Sequence, residues 1–529
     1  MTQHAWHEPR GLARRLRCAR MREGFGDTGR DFIYATVGKH LQSMHRVRGA
    51  AGPAVAGGVW EAPALTPPDA AGMAADAAGA RVGRGEFSSR FGFVMAAAGS
   101  AVGLGNIWGF PTNAASNGGA AFLFTYLVLA FALAYPALMA ELIIGRHAKA
   151  NSIEALQSIS RGPKTRALAV FVGGLGIITV SFILSFYAIV SGWMMAFFLD
   201  SILGLGMGFG AAAEWSAWLV ADSQWRNGIF VLLFMMFTIH IIRSGVKNGI
   251  ERWASRLMPA LIVILLLLIV YVLTLPGAMD GLRAYLVPDF AEIANPRLLV
   301  DAMGQAFFSL SLGVGTMLIY GSYISKQENL PVTGGLVALL DIAIAVIAGT
   351  LILPAMYVAL ANGVEIFNSD GSLVAGPALI VSVLPALFDT MGGVGALVSL
   401  AFFLLMTIAS LTSSISMLEV PVAFAVERRR MERGRAALLI GTVVTAVSLL
   451  IVFNFELLFD RVVNWSTEVS QPLLGFFFCI FVAWIWRRDA VLKEIARGAP
   501  DVESSWFWKI WPAYVKFICP LAILLVYLT

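Results

Sequence analysis

The chain has 529 residues, 58% of them hydrophobic and 13% charged, with a mean hydropathy of +0.76 and a formal net charge of +5. That is too little charge to solvate a soluble globule of this length, so the composition excludes a water-soluble enzyme or binding domain and points to an integral membrane protein. Long apolar runs, in place of short alternating segments, exclude a β-barrel and predict helical spans.

In chain order, the first 83 residues stand apart. They are Arg-rich to about residue 48, then rich in Ala, Gly and Pro, and they lack the apolar core of a signal peptide. They read as a disordered N-terminal extension ahead of a single transmembrane domain over 84–529, with a regulatory tail as the alternative. His4, His7, His40 and His45 lie in this low-complexity stretch and point to no metal site.

About eleven spans follow, near 91–113, 119–145, 168–199, 227–243, 256–275, 299–322, 334–361, 395–426, 436–454, 464–486 and 511–528. Lys and Arg cluster in alternate loops: Arg146 to Arg166, Arg243 to Arg256, Arg428 to Arg435 and Arg487 to Arg497. Acid-leaning loops with Asp200, Glu214 and Asp222, or Glu365 and Asp370, lie between them, which predicts a cytoplasmic N-terminus and an external C-terminus. The net charge is then a matter of topology and implies no nucleic-acid partner. Cys18, Cys479 and Cys519 have neither paired nor metal-ligand spacing.

The first span is interrupted. "GSAVGLGNIWGFP", Gly99 to Pro111, sets glycines, an asparagine and a proline where a helix in lipid favours Leu and Ala. Gly99 and Gly103 alone would make a small-xxx-small packing face, but Gly105, Asn106 and Pro111 add a polar amide and a helix breaker that packing does not require. An unpaired backbone group in hydrocarbon costs several kcal/mol, so a break there survives only where protein, ions or ligand take up the freed groups. "FFSLSLGVGTMLIYGSY", Phe307 to Tyr323, interrupts the sixth span in the same way with Gly313 and Gly315. Broken first and sixth helices predict an all-α transporter of five plus five inverted-repeat spans with its site at mid-depth. In the eighth span "ASLTSSIS", Ala409 to Ser416, supplies five hydroxyls in eight residues. One would simply bond back to its own helix; five without excess charge suit a hard monovalent cation such as sodium.

These stretches, together with "RFGFVMAAAGSAVGLGNIWGFP" and "NGGAAF", "SFYAIVSGW" in the third span, "GQAFFSLSLGVG" in the sixth and "LLDIAIAVIAG" in the seventh, resemble the neurotransmitter:sodium symporter family. The resemblance runs from about Arg84 to the C-terminus and is nearest to the leucine-transporter-like bacterial amino-acid transporters. It implies sodium-coupled import of an α-amino acid by alternating access across the cell (inner) membrane, with two sodium ions, and it leaves the oligomeric state open. One sodium site would use the carbonyls of Gly99, Val102 and Ala409 with the hydroxyls of Thr412 and Ser413. The other would use the Ala101 carbonyl, Asn106, Ser309 and Asp341, completed by the substrate carboxylate.

The resemblance also implies a substrate pocket of Ala101, Gly103, Leu104, Gly105, Ile183, Tyr187, Phe308, Ser311, Val314, Ser413 and Met417. Tyr187 would donate to the carboxylate and Phe308 would close over it. Gly103, where monoamine carriers have Asp, fits an amino acid, and Val314 with Met417 suggests an apolar or aromatic side chain. Tyr126, Gln305 and Ser309 match the family's chloride pattern, but Asp341 brings a fixed charge and Ala345 no hydroxyl, which implies chloride independence. A cytoplasmic gate would pair Arg84 with Glu427, surrounded by Phe87, Ser322 and Tyr323. The external ion pair is missing, with Gly109 and either Val463 or Asn464 in its place. Glu141 and Glu419 are expected to hold unwound backbone, and His240 to sit near a helix end.

Two other readings stay open at this stage. One is a proton-coupled permease of similar architecture, with Asp341 or Glu141 carrying the proton; the hydroxyls of Thr412 and Ser413 argue against it. The other is a binding or receptor protein on a transporter scaffold, for which the missing external pair is the relevant feature. No HExxH or GxSxG motif supports an enzyme.

Overall fold

Several helices begin where short polar side chains take up the free N–H groups of a first turn. In a computed structural model, which describes residues 85–203, 223–287, 295–368, 373–374 and 379–528, Ser89 opens Arg90–Ala101 by accepting the Gly92 N–H at 3.0 Å. Asn151 and Asn329 open Ser152–Ile159 and Leu330–Ala361 in the same way. Arg84 and the N-terminal extension lie outside the described residues.

Nine helices among the described residues are long and apolar enough to cross a membrane, from Gln224–Arg243 at 20 residues to Pro163–Ile202 at 40. At about 1.5 Å per residue even the shortest covers the roughly 30 Å of a hydrocarbon core. The first span adds a bent pair, Arg90–Ala101 and Gly105–Ser116, with 72° between the halves. The sixth is divided into Pro296–Ser309 and Thr316–Ser322, each too short to cross alone. One broken span followed by four unbroken ones thus occurs twice, and Trp506–Leu525 comes last.

Several helices outrun the apolar stretches that announced them. The fifth begins at Val246 and the tenth at Phe455, because charged residues such as Lys247, Arg252, Glu456 and Arg461 continue the helix past the apolar window. Pro259, Pro354 and Pro421 are carried inside the fifth, seventh and eighth spans.

Close backbone approach sets the packing around the breaks. A Cβ on Gly145 would lie 1.9 Å from the Leu318 carbonyl and one on Gly321 2.8 Å from that of Leu142, so only glycine lets the second span meet the second half of the sixth. The eighth span runs along the third, with Phe197 stacked on Phe403 at 4.6 Å. Outside the spans, helix Arg488–Ala496 docks through a buried ion pair, Arg146 Nε to Glu494 Oε1 at 3.0 Å. The Arg146 guanidinium also donates to the carbonyls of Glu494 and Glu328.

Candidate functional site

The break in the first span can be followed one backbone group at a time. A continuous helix would donate the Gly103 N–H to the Gly99 carbonyl and the Leu104 N–H to that of Ser100. Instead Gly103 N–H goes to Asn106 Oδ1 at 3.1 Å and Leu104 N–H to Tyr187 Oη at 3.3 Å. The freed Ser100 carbonyl accepts from Ser311 Oγ at 3.1 Å, in the sixth-span break. The carbonyls of Gly99 and Val102 face the eighth span, where Ser413 Oγ lies 3.2 and 3.3 Å away. One hydroxyl has one proton and cannot satisfy two carbonyls. Thr412 Oγ1 lies 3.0 Å from the Ala409 carbonyl, and a Cβ on Gly99 would sit 3.0 Å from Thr412 Cβ.

The second break runs from Leu310 to Gly315, with Ser311, Gly313 and Gly315 at positive φ of 52°, 86° and 79°. A side chain at Gly313 would also strike the Gln471 carbonyl at 2.3 Å. Glu141 holds the freed donors: its carboxylate accepts Gly313 N–H at 2.7 Å and Leu318 N–H at 3.3 Å. Gln471 Nε2 donates to the Leu312 carbonyl at 3.0 Å. Glu141 therefore has the position expected of it. Glu419 does not: it accepts from Tyr323 Oη at 2.5 Å and pairs with both ends of the Arg433 guanidinium, at 3.1 and 2.5 Å. Arg433 begins the ninth span, and nothing in its local sequence marks it as the partner.

Beside the first break Asn106, Ser309 and Asp341 form a closed triangle. Asn106 Nδ2 donates to Ser309 Oγ and to Asp341 Oδ1, both at 2.7 Å, and Ser309 Oγ donates to Asp341 Oδ2 at 2.6 Å. All three are at most 1% exposed. Both donors to the Asp341 carboxylate are neutral. Tyr126 Oη donates to Ser309 Oγ at 3.4 Å, and Gln305 bridges Asn113 and the Gly105 carbonyl. No group of three His, Cys, Asp or Glu side chains gathers among the described residues. The groups here are carbonyls, hydroxyls, one carboxylate and the Asn106 amide, whose nitrogen faces Ser309 and Asp341 and whose oxygen accepts the Gly103 N–H; the oxygens among them are of the kind that suits a hard monovalent cation.

A cavity lies between the two breaks. All eleven residues expected of the substrate pocket line it, from Ala101, Gly103, Leu104 and Gly105 through Ile183 and Tyr187 to Phe308, Ser311, Val314, Ser413 and Met417. Ser100, Asn106, Val180, Phe186 and Gln471 also line it. Of these, Val180 and Phe186 lie one helical turn from residues already named, a signal the sequence carried; Gln471, on the tenth span, had none. The Phe308 ring rests on Gly105, where a Cβ would meet its Cε1 at 2.6 Å, and is 39% exposed on its other side.

The two ends of the cavity differ. At one, Phe87 packs edge-on to Phe93, Tyr320 and Tyr323, and its N–H donates to the Tyr323 carbonyl at 3.2 Å. Ser322 Oγ donates to the Ile319 carbonyl, and Glu427 accepts from the Asn151 N–H and side chain. Its expected partner Arg84 lies outside the described residues. Glu251 accepts from Ser88 and Ser89, next to Phe87, an anchor the sequence did not announce. At the Phe308 end, a Cβ on Gly109 would have nothing within 4 Å, Val463 is half-buried and Asn464 is exposed. His240 is exposed in the last turn of its helix.

The model of the sodium:neurotransmitter symporter family matches residues 84–210 and 221–529. The chain is 31% identical over 454 residues to the sodium-dependent transporter YhdH of Bacillus subtilis (strain 168), covering 84% of this chain and 97% of that one. It is 25% identical over 488 residues to the sodium- and chloride-dependent taurine transporter of Bos taurus, covering 82% and 77%. The crystal structure of MhsT in complex with L-phenylalanine superposes with a TM-score of 0.73 at 36% identity, over 84% of this chain and 99% of that one.

Proposed function

The chain belongs to the sodium:neurotransmitter symporter family, and from that premise we propose that it imports an α-amino acid with an apolar or aromatic side chain, coupled to sodium and independent of chloride, by alternating access. The observation that carries the reading is a shared wall. Ser413, within reach of the Gly99 and Val102 carbonyls, also lines the cavity, as does Asn106, which is bonded to Asp341. Ions at those oxygens and a solute in the cavity would share ligands, so neither binds well without the other. The L-phenylalanine of MhsT supports an amino-acid solute, and the apolar lining supports an apolar side chain.

Residue by residue, Gly99, Val102, Ala409, Thr412 and Ser413 would take one sodium, and Ala101, Asn106, Ser309 and Asp341 with the substrate carboxylate the other. The Asp341 carboxylate supplies the negative charge that chloride-dependent relatives draw from solution. The Phe87–Tyr323 end, with Arg84 and Glu427, would face the cytoplasm of the cell, and the transmembrane domain over 84–529 would work without the extension before it. Two charges crossing roughly 100 mV yield about 4.6 kcal/mol at about 2.3 per charge, which sustains accumulation on the order of a thousandfold.

The test is uptake by proteoliposomes across the twenty amino acids, in sodium chloride, sodium gluconate and potassium chloride. Sodium-dependent uptake of apolar amino acids that persists in gluconate is expected. Loss of uptake in gluconate refutes chloride independence, and uptake driven by a pH step without sodium refutes sodium coupling.

A further inference from the structure

Gln471 lines the cavity on the tenth span, is 6% exposed, and its Oε1 has no hydrogen-bond partner among the described residues. The orientation of its amide is fixed by chemistry: the atom facing the Leu312 carbonyl at 3.0 Å must be the nitrogen, so the atom left over is the acceptor. The other polar side chains of the cavity are engaged. Ser100 Oγ donates to Ser416, Ser311 Oγ to the Ser100 carbonyl and Ser413 Oγ to Gly99, while Asn106 is held by Asp341 and Tyr187 by Leu104. The neighbouring residue, Ser470, meets Thr179 of the third span at 2.5 Å, and Val180, next to Thr179, lines the cavity as Gln471 does.

We propose that Gln471 is a specificity-determining residue, whose Oε1 accepts a hydrogen bond from the side chain of the transported amino acid and so favours an apolar framework bearing one N–H or O–H. The inference rests on the amino-acid reading above and narrows it. A buried acceptor without a partner is costly, and a ligand that brings a donor recovers that cost, whereas an isostere without one leaves it in place. Val180, Ile183 and Phe186 of the same cavity add apolar contact, which suits an apolar framework around that donor. An indole N–H answers the need in full, since it donates once and brings no acceptor of its own; a phenol also donates. Gln471 thus has two tasks: its nitrogen holds the unwound sixth span and its oxygen reads the solute.

The experiment measures equilibrium binding to the purified full-length protein in sodium, by competition, with two near-isosteric pairs: L-tryptophan against 3-benzothienyl-L-alanine, in which sulfur replaces the indole N–H, and L-tyrosine against L-phenylalanine. In wild type the donor-bearing member is expected to bind about tenfold or more tightly in the higher-affinity pair. Gln471→Met, similar in volume and without a strong acceptor, is expected to reduce that ratio below about twofold while still binding the sulfur or phenyl member. Ratios below twofold in both pairs for wild type overturn the proposal, and that measurement needs no variant to fold. A ratio unchanged in Gln471→Met overturns it as well. Sodium-dependent binding of none of the four overturns this inference, while sodium-dependent binding of another amino acid in the same assay leaves the amino-acid reading standing, which separates the two failures.

Discussion

Gly103→Ala tests the site where Tyr187 and Ser413 approach the first-span break. The added methyl would sit 2.9 Å from Tyr187 Oη and 3.0 Å from Ser413 Oγ, where ordinary contact begins at 3.4 Å, so both oxygens must withdraw by about half an ångström. Tyr187 is buried and its hydroxyl already lies 3.3 Å from the Leu104 N–H, so the displacement breaks that bond and moves the hydroxyl away from the place of a substrate carboxylate. A hydrogen bond to a charged group contributes about 1.5–3 kcal/mol, which at about 1.4 kcal/mol per tenfold predicts binding roughly tenfold to a hundredfold weaker. Because Ser413 moves too, the sodium concentration for half-saturation should rise together with the substrate constant. The assay is scintillation-proximity binding of a radiolabelled amino acid over a sodium titration. Gly109→Ala is the matched control: its position is helical, with φ −63°, and a Cβ there meets nothing within 4 Å. Wild-type affinity and sodium dependence in Gly103→Ala would refute the assignment, as would an equal loss in Gly109→Ala.

Thr412→Val combined with Ser413→Ala removes the hydroxyls that face the Gly99, Val102 and Ala409 carbonyls, and should raise the sodium requirement for uptake at least tenfold; an unchanged sodium titration sinks that site. Glu141→Leu orphans the Gly313 and Leu318 N–H groups, at about 1–3 kcal/mol each, so its thermal unfolding in detergent should fall well below that of wild type, with Glu141→Gln between them; equal melting contradicts the role. Burial alone would raise the Glu494 carboxyl, but the His147 hydrogen bond and the Arg146 and Arg497 guanidiniums outweigh it and hold the group below the usual carboxylate range. Its contribution to stability is then complete above the unfolded value of about 4.3 and fades as pH drops through the lower folded value. Glu494→Gln should cost about 3–5 kcal/mol at pH 7, the loss typical of a broken buried pair, and should flatten the melting profile below about pH 5; a variant that melts like wild type at pH 7 removes the pair from the account.

Both breaks were legible because their residues are contiguous: Gly103, Gly105 and Asn106 in one stretch, Ser311, Gly313 and Gly315 in the other, each incompatible with continuous helix in lipid. The eleven cavity residues followed from a resemblance whose motifs carry them in order. What stayed hidden was contact at long separation. Glu419 lies in an apolar run that says only that an acid needs a partner; that the partner is Arg433, fourteen residues on across a helix turn, depends on how the eighth and ninth spans meet. Gln471 and Glu251 reach their partners from 159 and about 163 residues away, where neither periodicity nor spacing carries information. Helix ends were misjudged for a different reason, since charged residues at the membrane surface continue a helix without continuing its apolar pattern.

The two breaks are not equivalent in how their freed backbone groups are met. In the sixth span the freed groups are met by the protein itself: Gly313 and Leu318 by Glu141, Leu312 by Gln471. In the first span the freed N–H groups are also met, by Asn106 and Tyr187, but the Gly99 and Val102 carbonyls are left with one hydroxyl between them. At the first break two carbonyls thus share one donor, and Asp341 adds a buried carboxylate with only neutral donors close by. A surplus of buried acceptors is relieved by a ligand that brings positive charge or a hydrogen-bond donor. On the proposed sodium sites, ions would bear on the first span, whose Gly99 and Val102 carbonyls share one hydroxyl, and not on the sixth, whose freed Gly313, Leu318 and Leu312 groups are met by Glu141 and Gln471.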